Sequence, residues 1–249
     1  MINLAFFNRV DSATITASSE VASLPAANVA QAWRSKPWRS TGCASEWIKF
    51  DFGSAQAVRA LVFVGHNLTS GATIKIQANA TDAWGSPSID LALTYHAANV
   101  VYLWSSDQTF RYWRITIVDA ANPEGFVELG RVFLGQTATP ERNYCRWNKE
   151  QIDPTTITRS YDGAESFDNR TTYDRLTFEF ERILTATFDA LAAAVGLKLY
   201  FFIIADYDNA VRADGRHDLT RYCRLEELPA TSYSHINRDN VTLTVLEAL

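Results

Sequence analysis

Cysteine is scarce in this chain. Its three cysteines in 249 residues, Cys43, Cys145 and Cys223, are odd in number and far apart. None has a Cys or His neighbour at ligand spacing, which excludes a zinc knuckle, and an odd, scattered set is not a disulfide framework. They read as reduced packing thiols. Long apolar runs are missing too: the longest strictly apolar stretch, Leu199–Ala205, is too short to span a bilayer as a helix, so no membrane partner is expected. There is no basic excess. Lys and Arg number 23 against 28 Asp and Glu, a net charge of -5, so neither half has a nucleic-acid footprint. Residues Met1–Asp11 lack the basic start and sustained apolar core of a signal peptide. They are expected to open a strand, in a soluble protein made in a cytoplasm without classical export.

Catalytic signatures are absent as well. No Gly-x-Ser-x-Gly elbow, His-Glu-x-x-His pair, P-loop or Gly-x-Gly-x-x-Gly fingerprint occurs, and the four histidines His66, His96, His217 and His235 are scattered. The chain is not expected to be an enzyme. Asp206-Tyr207-Asp208-Asn209 superficially resembles a calcium loop, but Val211 and His217 stand where an EF-hand needs Gly and Glu. It reads as a solvated hairpin loop, with no metal expected.

What is present is alternation. In Trp47–Phe52, Ile48, Phe50 and Phe52 fall on one side of an extended strand, Gly53 ends the run, and a second β-branched run, Ala60–Val64, follows. Leu4–Phe7, Thr14–Ala17, Thr73–Ala78, Val100–Trp104, Tyr112–Val118 and Glu128–Phe133 supply further strands, with a short helical turn within Leu24–Trp33. Eight strands without a long helix imply an antiparallel sandwich or jelly roll. Near Gln136 the chain turns polar around Pro140, which suggests a connector. Charge changes there as well: residues 1–136 hold 10 basic and 10 acidic side chains, residues 137–249 hold 13 and 18.

Beyond the connector, Thr156–Tyr161 and Thr172–Glu181 alternate, the latter with Leu176, Phe178 and Phe180 on one face. Then Leu184, Phe188, Leu191 and Val195 recur at helical spacing, from an N-cap at Thr185 to Gly196. Leu199–Ala205, Tyr222–Glu227 and Val241–Leu246 complete a small sheet. The fold class expected is therefore mainly β: a sandwich over 1–136, a connector and leading strand over 137–160, and a small α+β domain over 161–249 with one helix packed on a sheet.

The first half resembles a discoidin (coagulation factor 5/8 type C, galactose-binding-like) domain. The resemblance is carried by Ala13–Ser19, Leu24–Val29, Trp38-Arg39-Ser40, Ser45–Gly53, Val58–Asn67, Tyr112–Ile117 and Val127–Gly135 in that order. It implies a β-sandwich that binds sugars, lipid heads or proteins with its loop tips. Sugars need an aromatic ring for their C–H faces and fixed donors and acceptors for their hydroxyls. The candidates are Trp38, Arg39, His66, Asn67 and Trp84, with Trp33, Arg34, Tyr95 and Trp104 beside them. The alternative reading of each is structural: in discoidin-like domains the residue matching Trp38 helps to fill the sandwich end, and Asn67 can cap its own turn. The family often carries a structural calcium near its first loops, but acidic ligands are not evident around Ala26–Ser35. No other cofactor is expected, and a calcium there is left open.

The order of the two halves resembles tail-tip (distal tail or baseplate) proteins of long-tailed bacteriophages, in which a ring-forming α+β domain accompanies a sugar-binding-like sandwich. That resemblance implies a virion tail assembled in the bacterial host cytoplasm. The partners it implies are copies of this chain in a ring, other tail proteins and host surface polysaccharide. Strands Thr172–Glu181 and Asn240–Leu246 are suited to lateral pairing, with Tyr173, Arg175, Thr177, Glu179, Thr242 and Thr244 as candidate contacts. Whether the sandwich reads glycans or docks tail partners stays open, as does a free-standing bacterial carbohydrate-binding protein.

Overall fold

The structure, a computed structural model, describes residues 1–205, 217, 219–235 and 238–248. It is mainly β and antiparallel, with one α-helix among the described residues. The chain divides into two compact units: Asn3–Ala138 with Phe202–Thr220, and Met1–Ile2 with Thr139–Phe201 and Arg221–Leu249.

The first unit contains β1 (Asn3–Asn8), β2 (Thr14–Ala17), β3 (Trp38–Arg39), β4 (Glu46–Val64), β5 (Thr73–Asn79), β6 (Ile89–Leu93), β7 (Asn99–Val118), β8 (Glu128–Leu129) and β9 (Arg131–Ala138). The helical turn expected within Leu24–Trp33 is a 3-10 turn at Ala26–Ala30. Gly53 does not end a strand. β4 runs 19 residues through it and pairs with β7 along its length, with register shifts between Asp51 and Gln56 and between Val58 and Ala60. Gly53 takes φ +74° there, a conformation that glycine adopts without a Cβ penalty. Irregularities of this kind bend a strand pair, and the bend turns β4 and β7 from one layer of the sandwich into the other.

In the first layer β4 pairs with β2, and β7 with β5, which pairs with β6. In the second, β4 pairs with β9, and β9 with β1. Inward side chains from both layers, Ile48, Phe50, Ile115 and Ile117 from one and Leu61, Phe63, Val100, Val132 and Leu134 from the other, form one buried core.

The second unit contains β10 (Arg146–Ile152), β11 (Thr156–Arg159), β12 (Glu165–Asp168), β13 (Tyr173–Ile183), α1 (Ala186–Ala194), β15 (Thr220–Leu225) save its first residue, β16 (Ala230–His235) and β17 (Arg238–Glu247). Its sheet runs β10, β13, β17, β15, with β16 also on β17. Between α1 and β15 lies β14 (Tyr200–Ile204), whose Phe202, Ile203 and Ile204 pair with Ala5, Leu4 and Asn3 of β1. The helix keeps the expected limits. Gly196 ends it with φ +53° and its N–H on the Ala192 carbonyl (3.0 Å). Thr185 caps differently from expectation: its Oγ1 donates to the Asp189 carboxylate (2.7 Å) and makes no bond to backbone. Phe188 and Leu191 are buried, and Phe188 lies against Phe180 of β13 (4.8 Å).

Candidate functional site

One end of the sandwich is a cluster of loops stitched together by side chains. Asn67 follows Val64, the last residue of β4, and its amide Nδ2 donates to the Phe126 carbonyl (2.9 Å) and to the Glu124 carboxylate (2.8 Å). Its Oδ1 accepts from the Glu128 N–H (2.7 Å), and its carbonyl accepts from Asn122 (3.1 Å). Asp119, just after β7, accepts from the Thr69 N–H (2.9 Å), Thr69 Oγ1 (2.6 Å) and Asn122 Nδ2 (3.0 Å). Ser40 Oγ accepts from the Val127 N–H at 2.8 Å. The loop bearing Trp33 and Arg34 passes close to Gly130, two residues beyond Glu128: a Cβ on Gly130 would stand 2.8 Å from the Arg34 carbonyl.

Among the aromatic candidates, Trp38 is fully buried and its Nε1 donates to the Ser19 carbonyl (3.0 Å). This corrects its reading as a sugar platform: no face of the indole reaches solvent. Trp104 is likewise core, set edge-on to Trp113 (5.5 Å). Asn67 is a structural staple with both side-chain polar atoms engaged, but it holds the 124–128 loop and does not cap its own turn. Trp33 is different. It is 59% exposed, with Lys36 Nζ 5.2 Å from its ring centroid. Nearby on β3, Arg39 lies over the Phe126 ring (4.1 Å) while its Nε donates to Glu128 (2.6 Å). Lys36, Phe126 and Glu128 went unread in the sequence, because an aromatic or a charge in a loop carries no periodicity to distinguish it.

Trp84 belongs elsewhere. Its loop follows Asn79, which pairs with Tyr112, in turn opposite Asp51, at the bend of β4. Its Nε1 donates to Asp82 (2.7 Å), and Arg114 stacks on its ring at 4.3 Å. Asp82 also accepts from Lys49 (2.6 Å), and Arg114 donates to Gln77 Oε1 at 2.6 and 2.9 Å. The structure therefore does not gather Trp84 with Trp38, Arg39, His66 and Asn67.

His66 is half-buried, edge-on to Phe63 (5.6 Å) and Tyr95 (6.0 Å). One ring nitrogen, Nε2, lies 3.0 Å from the His96 carbonyl, and Nδ1 accepts from the Leu68 N–H at 3.3 Å. That pattern suits a neutral ring protonated at Nε2. Burial is the main cause holding its pKa below the ordinary imidazole value, with the nearby His96 adding to it and the bond to the His96 carbonyl opposing. A base with a depressed folded pKa contributes stability that is complete above its unfolded pKa, about 6.5, and declines as pH falls through that value toward the folded one. The denaturation midpoint is expected to fall as pH is lowered from about 7 to 5, and His66→Gln should flatten that part of the profile. An unchanged slope in the variant would remove His66 as its source.

In the second unit, neither strand proposed for lateral pairing has a free edge. β13 pairs with β10 on one side and β17 on the other, and β17 pairs with β13, β15 and β16. Tyr173, Arg175, Thr177 and Glu179 thus face Ile152, Glu150, Asn148 and Arg146 within their own sheet, and Thr242 and Thr244 face Glu179 and Thr177. Thr244 is buried, and Arg175 Nε donates to Glu226 at 2.6 Å. These six residues cannot join copies through backbone edge pairing. Among the described residues of this unit's sheet, β10 and β16 each have a single strand neighbour, β13 and β17.

Among the described residues no group of three or more His, Cys, Asp or Glu side chains is placed to hold a metal ion. The acidic loop Asp206–Asn209 lies outside the described residues. Within Ala26–Ser35 no carboxylate occurs, and the Ala26 N–H is taken by Glu20 at 2.7 Å. No helix of the described residues is long and apolar enough to cross a membrane.

No protein-family model matches the chain, and no curated protein does. Solved structures do match about half of it. Chitosan-binding module 1 of a chitosanase/glucanase from Paenibacillus sp. IK-5 is similar at 20% identity and a TM-score of 0.41, over 52% of this chain and 98% of that one. The family 32 carbohydrate-binding module of C. perfringens NanJ, in complex with galactose, matches at 13% identity and a TM-score of 0.42, over 54% and 98%. The lectin domain of lectinolysin, complexed with Lewis B antigen, matches at 12% identity and a TM-score of 0.43, over 53% and 97%.

Proposed function

We propose that the chain is a non-catalytic carbohydrate-binding protein in which a discoidin-like sandwich contacts glycan at its loop end and the second unit builds it into a larger assembly. The observation that carries this reading is Trp33, a largely exposed indole with the Lys36 amine over it, at an end of the sandwich whose neighbouring loops are tied together by Asn67, Asp119 and Ser40. An exposed ring offers its face to sugar C–H groups, and Lys36, Arg39, Glu124 and Glu128 offer donors and acceptors for hydroxyls. Rigid loops lower the ordering cost of binding. The setting we propose is the tail tip of a long-tailed bacteriophage, supported by the order of a discoidin-like segment followed by a small α+β unit. There the ligand is host surface polysaccharide.

Isothermal titration of the full chain against host surface polysaccharide tests this. Saturable binding is expected, weakened at least about tenfold, about 1.4 kcal/mol, in Trp33→Ala. The melting temperature should stay within a degree or two, because an exposed loop residue contributes little to the core. Undiminished binding by the variant, or none by the parent chain, would overturn the reading.

A further inference from the structure

The hairpin β11–β12 is well formed yet stands apart. Its strands form a sheet of their own, separate from the unit's main sheet. Its turn is closed by the Ser160 N–H on the Ala164 carbonyl (2.9 Å), with Gly163 at φ +87°, and Arg159 donates to Glu165 across the strands (2.6 Å). Every residue from Thr156 to Arg170 is exposed. Ile157 and Phe167 are direct cross-strand partners, so they share one face, and they are 57% and 55% exposed; Tyr161 at the turn is fully exposed. A lone two-stranded hairpin is marginal in water. A pre-ordered one that shows its large apolar side chains to solvent has the character of an interface element.

We propose that β11–β12 is an arm that docks on another copy of this chain, along the open edge of β10. Among the described residues β10 has a single strand neighbour, β13, so its far edge presents backbone N–H and C=O groups to an incoming strand. The charges match. Residues 153–170 carry four carboxylates against two arginines, while residues 141–152 carry three basic side chains against two glutamates. Arm and edge are different surfaces of one chain, so the contact is head-to-tail and recurs in every copy, the arrangement that generates rings when the rotation closes. This deepens the assembly half of the proposed function and rests on it.

Light scattering on the full chain across a range of concentrations tests the arm. The parent chain should show a multiple of 27.9 kDa, and Ile157→Asp with Phe167→Asp should return the mass to that of one chain. Circular dichroism should not change, since both side chains are exposed, and the melting temperature should fall only by what the lost association contributed. To locate the docking edge, Ser166→Cys can be joined by a short bis-maleimide to the native thiol of Cys145, which is exposed beside β10; a ladder of linked chains is expected. If the double variant assembles as the parent does, the arm is overturned while assembly stands. If the parent is a single chain throughout, both fall. If the variant dissociates but no ladder forms, docking on the β10 edge is overturned.

Discussion

Gly135→Ala is expected to disrupt the sandwich more than any other single methyl addition. Gly135 lies in β9, between Asn8 of β1 and Ala60 of β4. A Cβ there would stand 1.9 Å from the Phe7 carbonyl oxygen and 3.0 Å from its carbon. The obstruction is backbone, so no rotamer change relieves it; β1 must separate from β9, losing ladder hydrogen bonds. Overpacking in a core typically costs 1–3 kcal/mol, occasionally more, and this substitution should reach about 3 kcal/mol or exceed it. Gly53→Ala is the control: its Cβ would meet nothing within 4 Å, and only the positive φ of +74° opposes it, a strain of about 1–2 kcal/mol. Denaturation of the full chain, followed through its first-unit transition, should rank Gly135→Ala well below Gly53→Ala. Equal midpoints would mean that β1 and β9 are not held this closely.

Trp38→Ala should lower stability by about 3–5 kcal/mol, the range for removing a large aromatic side chain from a core. The indole is among the largest fully buried side chains, and its N–H bond to Ser19 is lost as well. Trp38→Phe separates the two contributions: it keeps most of the ring and loses the hydrogen bond, a change nearer 1 kcal/mol. Neither variant should alter glycan affinity per folded molecule. A Trp38→Ala protein with parental stability and no affinity would instead place this residue in the binding surface.

Alternation and helical spacing made much of the architecture legible. β2 has the limits predicted, and Leu176, Phe178 and Phe180 lie on the buried face of β13. The bend of β4 was not legible, because Gly53-Ser54-Ala55 is small and polar like a turn, while the pairing that carries the strand through it comes from β7, some fifty residues away. β10 and the second strand of the arm were also hard to read: β10 is mostly exposed and β12 wholly so, and a strand with little to bury shows no period of two. For the site, residue type identified what could bind a sugar but not which ring reaches solvent. Trp33 and Trp38 are five residues apart with the same chemistry, and only the pairing of Trp38 with Leu129 and its place in the core assign them opposite roles.

The central claim is that each chain carries one glycan-reading sandwich on a unit that assembles. It is tested most directly by titrating the assembled full chain with host surface oligosaccharide while measuring its mass by light scattering on the same sample. The account predicts a mass of several chains and one saccharide bound per chain, with Trp33→Ala abolishing the saccharide and leaving the mass. An assembly that binds no saccharide, or binding that survives Trp33→Ala, would contradict it.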